Sequence, residues 1–146
     1  MKTPVLRTLS FGLLTSLAFA ADPAPTEVVY IDHATANQAF SVGKPLLVNS
    51  SYKVQAGRRV MPGEAEVHEH DTDIFYILEG TATFVTGGTV SEAKITGPGE
   101  TRGKTITGGT ARKLTKGDVI VVPAGVAHCF TEVPAPFVYY VVKVTR

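Results

Sequence analysis

Tryptophan is absent from the 146 residues, cysteine occurs once and methionine twice. A single cysteine cannot close a disulfide within its own chain, so a disulfide-stapled scaffold is excluded. Charge is sparse and balanced. Charged residues make up 18%, with 14 basic against 13 acidic groups and a formal net charge of +1. The basic excess that nucleic-acid binding demands is missing. Long apolar runs are missing too. The stretch Leu9 to Phe19, broken only by small or hydroxyl residues, covers eleven positions, whereas a spanning helix needs ~20.

What is present points to a small globular domain rich in turns. Hydrophobic residues reach 44%, enough to bury a core, and the length suits one domain. The 14 glycines and 9 prolines favour many turns and therefore many short strands.

The first twenty residues read as a secretory signal peptide. Lys2 and Arg7 give a positive start, Leu9 to Phe19 the apolar segment, and Ala18-Phe19-Ala20 the small-x-small site for cleavage after Ala20. The mature chain then runs from Ala21 to Arg146. Loss of Lys2 and Arg7 leaves 12 basic against 13 acidic groups, a net charge of −1. The expectation is a secreted protein, periplasmic if the source is Gram-negative, with no membrane attachment after cleavage.

Residues 21–45 are expected to form a linker, a strand over Glu27 to Ile31, and one short helix over His33 to Phe40 capped by Asp32. From Leu46 to Arg146 the pattern is all-β. Strands are expected at Leu46–Val48, Tyr52–Gln55, Val67–His70, Ile74–Glu79 and Thr81–Thr86. After these come Ala111–Leu114, Val119–Val122, Ala127–Thr131 and Phe137–Val144. Gly87 to Gly109 reads as a long connection with an extra hairpin through Val90 to Ile95, shaping the mouth of a barrel. Ile74–Leu78 and Val119–Val122 are apolar on both faces, so both faces should be covered, by the Gly-rich connection or by a partner subunit.

The four histidines are the chemically informative residues. His68 and His70 stand at i and i+2, so in a strand both imidazoles point the same way. Asp73 follows, and His128 comes after the turn Pro123-Ala124-Gly125. Three neutral imidazoles and a carboxylate suit a divalent transition metal such as iron, manganese, nickel, copper or zinc. Glu66 shares the strand face of His68 and is the second-choice carboxylate. Other tempting residues have bland readings. Cys129 points away from His128 as a buried inert thiol, and His33 belongs to the helix start. Arg58-Arg59 reads as a solvated pair, although it could bind an anion. Phe75, Ile77, Phe84 and Phe130 read as core.

The spacing Gly63-x4-His68-x-His70-x2-Asp73-x6-Gly80, then Gly117-x5-Pro123-x-Gly125-x2-His128, resembles the two motifs of the cupin superfamily. In that family the first motif usually has His-x-His, three or four residues, Glu, six residues and Gly. The second motif matches through His128. The first departs from the pattern. Only two residues separate His70 from the acidic position, that position is Asp73, and Glu132 stands where the second motif usually ends in Asn.

The resemblance implies a double-stranded β-helix, a jelly-roll barrel, with a metal held by His68, His70, Asp73 and His128. It also implies a homodimer. Three functions are compatible with it. The first is a metal-dependent, dioxygenase-like enzyme on a small organic molecule, with Glu66 or Asp73 as base if not ligating. The second is a module that binds a small ligand or metal without turnover. The third is a metal-free isomerase or sugar-binding barrel.

Overall fold

The computed structural model describes residues 22–134 and 136–146. The signal-peptide reading over residues 1–20 lies outside the described residues. Asp32 caps the single described helix, α1 (His33–Val42), accepting a hydrogen bond from the Thr35 backbone N–H at 2.9 Å. Gly43 ends the helix in the left-handed conformation. The helix runs two residues beyond the expected end at Phe40 and packs on the two strands that follow it.

Those strands are β1 (Pro45–Val48) and β2 (Tyr52–Arg59). After them come β3 (Ala65–His68), β4 (Asp71–Glu79), β5 (Thr81–Thr86), β6 (Thr89–Val90) and β7 (Lys94–Gly97). The series continues with β8 (Glu100–Gly103), β9 (Ile106–Thr107), β10 (Thr110–Thr115) and β11 (Val119–Val122), and ends with β12 (His128–Glu132) and β13 (Phe137–Thr145). Every pairing among them is antiparallel. Two sheets form the jelly roll, one of five strands ordered β1-β2-β13-β4-β11 and one of six ordered β10-β5-β12-β3-β8-β7. A short β6–β9 pair lies apart from both.

The core lies between the sheets. Strand alternation sends Asp71, Asp73, Phe75 and Ile77 of β4 inward, where they are buried. Phe84 of β5, Phe130 of β12 and Phe137, Tyr139 and Val141 of β13 meet Phe75 and Ile77 there. Phe84 and Phe130 meet at a tilt, with ring centroids 4.4 Å apart. The β4–β5 turn needs Gly80. Its φ is +80°, and a Cβ there would overlap the Pro136 carbonyl.

Three expectations change. Glu27 to Ile31 is not a strand: Val28 and Tyr30 are 96% and 84% exposed. β-propensity expresses fit to a pleated, half-buried surface, and here no neighbouring strand supplies one. The Gly-rich stretch is not one long connection but carries four strands, and β8 pairs along its length with β3. Within the chain, no described segment covers Ile74, Tyr76, Val119 and Val121. They share the outer face of β4 and β11, paired Val119 to Tyr76 and Val121 to Ile74, and all are exposed. The Gly-rich segment that might have covered this face joins the other sheet instead.

Candidate metal centre

β3 ends at His68, and this decides which histidines meet. Within the strand, i and i+2 alternation turns Glu66 and His68 to the same inner side. Beyond it the chain bends, and the Glu69 N–H donates to the Gly99 carbonyl at 2.8 Å. His70 is therefore swung outward. It is exposed, and its ring lies against Gly99 in the β7–β8 turn. The geometry does not place His70 among the converging groups, contrary to the expectation from His-x-His.

Glu66, His68 and His128 do converge, with one donor atom from each lying within 4.8 Å of the others. His68 Nε2 is 3.3 Å from Glu66 Oε2, and His128 Nε2 is 3.8 Å from the same oxygen. Asp73, on β4 across the barrel, places Oδ2 at 3.8 Å from His68 Nε2 and 3.7 Å from His128 Nε2. Donors about 2.1 Å from one shared ion stand roughly 3.0–3.4 Å apart. The observed spacings are close to that. Glu66 was the second-choice carboxylate in the sequence, and here it stands in the donor cluster. Taken as Glu66-x-His68-x4-Asp73-x6-Gly80, the segment has the usual first-motif spacing, with Glu66 in place of the first histidine.

Each ring is oriented from behind. His68 Nδ1 donates to Glu100 Oε2 at 2.7 Å, and His128 Nδ1 donates to the Val126 carbonyl at 3.1 Å. Both contacts leave Nε2 facing the cluster, as a metal-binding imidazole requires. Two buried atoms here lack any hydrogen-bond partner, His68 Nε2 and Asp73 Oδ1. Buried polar atoms are normally paired, so two such orphans beside converging carboxylate and imidazole donors fit a cation. The nitrogen and oxygen donor set suits a divalent transition metal.

The carboxylates also have protein partners. Burial pushes Glu66 upward, but the nearby His68 imidazole and the charges of Arg102 and His128 outweigh it. The pKa falls to about 2, so the group stays ionised. Arg102 holds Glu66 Oε1, leaving Oε2 toward the imidazoles. Lys143 of β13 pairs with Asp73 Oδ2. Burial disfavours charge on both rings. At His68 the surrounding carboxylates, Glu66 foremost, turn the net shift upward, whereas at His128 burial prevails and the shift is downward.

The cluster opens into a cavity of about 250 Å³, whose wall also includes Arg59, Arg102, Phe130, Tyr139 and Lys143. Arg59 is not a solvated turn residue. It ends β2, and its guanidinium lies 4.9 Å from the centre of the Phe130 ring. Gly57 sits opposite Tyr139 in the β2–β13 register, and a Cβ there would overlap the phenol ring. Burial raises the Tyr139 phenol's pKa, so it stays protonated. Cys129 is buried, its thiol donates to the Gly63 carbonyl at 3.2 Å, and burial raises its pKa, which marks an inert group. His33 bonds Asn37 on α1, and Glu132 accepts from Thr83 on an exposed part of β12.

Residues 63–145 match the family model described as Cupin. The chain belongs to the cupin family. A search of curated proteins finds no match for this cupin. Solved structures do match. One is a hydroquinone 1,2-dioxygenase (PnpCD) in complex with Cd²⁺ and 4-hydroxybenzonitrile, with 17% identity and a TM-score of 0.57 over 92% of this chain and 91% of that one. Another is a Bacillus halodurans protein, BH2720, with 14% identity and a TM-score of 0.58 over 87% of each chain. A DMSP lyase (DddQ) from Ruegeria pomeroyi shares 20% identity at a TM-score of 0.47, and this cupin spans 40% of that chain's length. Likeness at these identities concerns the fold.

Proposed function

We propose that this cupin is a secreted, divalent-metal-dependent enzyme of dioxygenase-like type acting on a small organic molecule. Glu66, His68 and His128 would hold the metal, with Asp73 alongside. The carrying observation is the convergence of two imidazole Nε2 atoms and a carboxylate oxygen at a cavity of about 250 Å³. A bound divalent metal would supply Lewis-acid or redox chemistry to a substrate in that cavity. Glu66, with a pKa of about 2, is too weak a base to carry protons near neutrality and serves as a permanent negative charge. Lys143 holds the Asp73 carboxylate in place. The protonated Tyr139 phenol faces the same cavity and can donate a hydrogen bond to a bound substrate. Phe75 and Phe130 supply the apolar part of the cavity wall. A structural relative of the fold that is a dioxygenase, solved with Cd²⁺, agrees with this reading.

The test is metal content by elemental mass spectrometry on protein recovered from the exported fraction. Near-stoichiometric metal is expected in the parent and in His70→Ala, with loss in His68→Ala and His128→Ala. Oxygen uptake by iron-loaded protein with catechols, diketones and thiols then tests the reaction class. Metal retained without any turnover would point to a binding module. No metal, even after loading, would overturn the reading.

One observation favours a second, metal-free reading. Arg102 and Lys143 already pair with Glu66 and Asp73. A metal-free barrel would leave proton transfer to His68 and His128, and its activity would survive chelators. A homodimer through the outer face of β4 and β11 is part of the same proposal. The uncovered Ile74, Tyr76, Val119 and Val121 form a continuous apolar strip there, which a second copy would bury.

A further inference from the structure

We propose that the ligand this cavity admits is a compact organic carboxylate, held chiefly by Arg59 and Arg102, with Lys143 as a third cation. The inference takes the cavity beside Glu66, His68 and His128 as the functional site, as above. It adds the chemical class of what enters.

The argument begins with buried polar atoms that have no partner. Among the described residues, four buried side-chain polar atoms lack a hydrogen-bond partner, and three line this cavity: Arg59 Nε, His68 Nε2 and Asp73 Oδ1. A metal answers the last two but not the first, because a guanidinium binds no cation. Arg59 Nη2 stands 3.6 Å from Glu66 Oε1, too far for a hydrogen bond. The guanidinium carbon lies 4.9 Å from the Phe130 ring centre. A guanidinium is a planar fork of N–H donors, and the Nε–H of Arg59 has no acceptor. Such a fork matches the two oxygens of a carboxylate.

Charge points the same way. Arg59, Arg102 and Lys143 face two carboxylates, the half-buried Glu66 and the buried Asp73, while Glu64 is exposed to solvent. A divalent ion in the cluster would tip the balance of the cavity further toward positive charge. An entering anion would compensate part of that charge, and a neutral ligand none of it. Size narrows the class. About 250 Å³ is roughly eight water volumes at ~30 Å³ each, which admits a short carbon chain with one or two carboxylates. Phe75, Phe130 and Tyr139 give such a chain an apolar wall.

The experiment is calorimetric titration with malonate, with its neutral analogue malonamide, and with inorganic phosphate. Each is run on metal-loaded and on chelator-stripped protein. Saturable malonate binding is expected in the loaded form, without malonamide binding. Arg59→Gln should weaken malonate by ~10-fold or more, the loss expected for a charged hydrogen bond. Arg59→Lys should recover only part of it, because the charge returns without the fork. Unchanged metal content and melting midpoint in Arg59→Gln would show that neither metal nor fold was lost. Equal binding of malonamide, tighter binding of phosphate, or full malonate affinity in Arg59→Gln would each overturn the proposal. Loss that tracks the metal alone, with Arg59→Gln behaving as the parent, would mean simple chelation and also overturn it. Malonate binding that depends on Arg59 in protein unable to hold metal would support the carboxylate site while refuting the metal reading.

Discussion

Removing the Glu100 carboxylate should loosen the metal without touching a ligand. Glu100 arrives on β8, the strand that the Gly-rich stretch contributes, and accepts from His68 Nδ1 at 2.7 Å. That contact turns Nε2 toward the cluster and increases its electron density. A hydrogen bond to a charged group contributes about 1.5–3 kcal/mol. Glu100 is a third exposed, so solvent screening puts its share near the lower bound, about 1.5 kcal/mol. At 1.4 kcal/mol per decade this is roughly tenfold in metal affinity. Glu100→Ala should therefore raise the Zn²⁺ dissociation constant by ~10-fold, read by competition against a chromogenic chelator. Glu100→Gln keeps an oxygen in place and loses only the charge, so its effect should be smaller, roughly threefold to fivefold. Zn²⁺ binding in Glu100→Ala as tight as in the parent would refute the reasoning, as would a larger loss in Gln than in Ala.

Other outcomes follow from the same structure. Phe84 is fully buried and packs on Phe75, Phe130 and the His128 ring, so Phe84→Ala should cost ~3–5 kcal/mol in denaturant unfolding; a loss under ~1 kcal/mol would show a core able to close the gap. Gly57→Ala should collide with the Tyr139 ring and cost ~1–3 kcal/mol, with tyrosine fluorescence reporting displacement; an unchanged spectrum and midpoint would contradict the close approach. Burial raises the Asp71 carboxyl, but Lys53 at 2.7 Å and Thr145 at 2.7 Å outweigh it and hold it below the usual range. Its contribution is therefore present above the unfolded carboxyl pKa of ~3.9 and lost as pH falls through the lower folded value. Acid unfolding of Asp71→Asn should accordingly depend less steeply on pH, and identical slopes would remove Asp71 from the account. Sedimentation of the parent should show a dimer that Val121→Lys dissociates; a monomeric parent at micromolar concentration would dismiss the outer-face contact.

Much of the barrel was legible because short apolar, β-branched runs between turn residues are a strong strand signal. β11 falls where its Val-rich run predicts, whereas Ile74–Leu78 read as apolar on both faces and the period-two burial of Asp73, Phe75 and Ile77 shows only in the fold. The turn Pro123 to Gly125 leads directly into the strand that carries His128. The site was legible only in part, and for a physical reason. Alternation says which residues share a face, but not where the strand stops. His70 shares a face with His68 only if β3 continues, and a bend held by the Gly99 carbonyl ends it two residues earlier. Glu66 was visible as a residue on the face of His68. The spacing from His68 to Asp73 was the signal that Glu66 and His68 take the two motif positions. Arg59, Glu100 and Arg102 could not be placed from local pattern. Their roles arise from pairings between distant strands, as when β8 lies beside β3. Arg59 also looked like half of a solvated pair until β2 proved long enough to carry it to the cavity.

The position of β13 has a consequence for the order of assembly. It is the last strand in chain order, yet it lies at the middle of its sheet, with β2 on one side and β4 on the other. Without Phe137 to Thr145, β2 and β4 have no strand between them to join them, and Asp73 has no Lys143. Such non-local pairing is slow to form. The five-stranded sheet and the Asp73 side of the cavity take shape together, in a step that waits for the final strand.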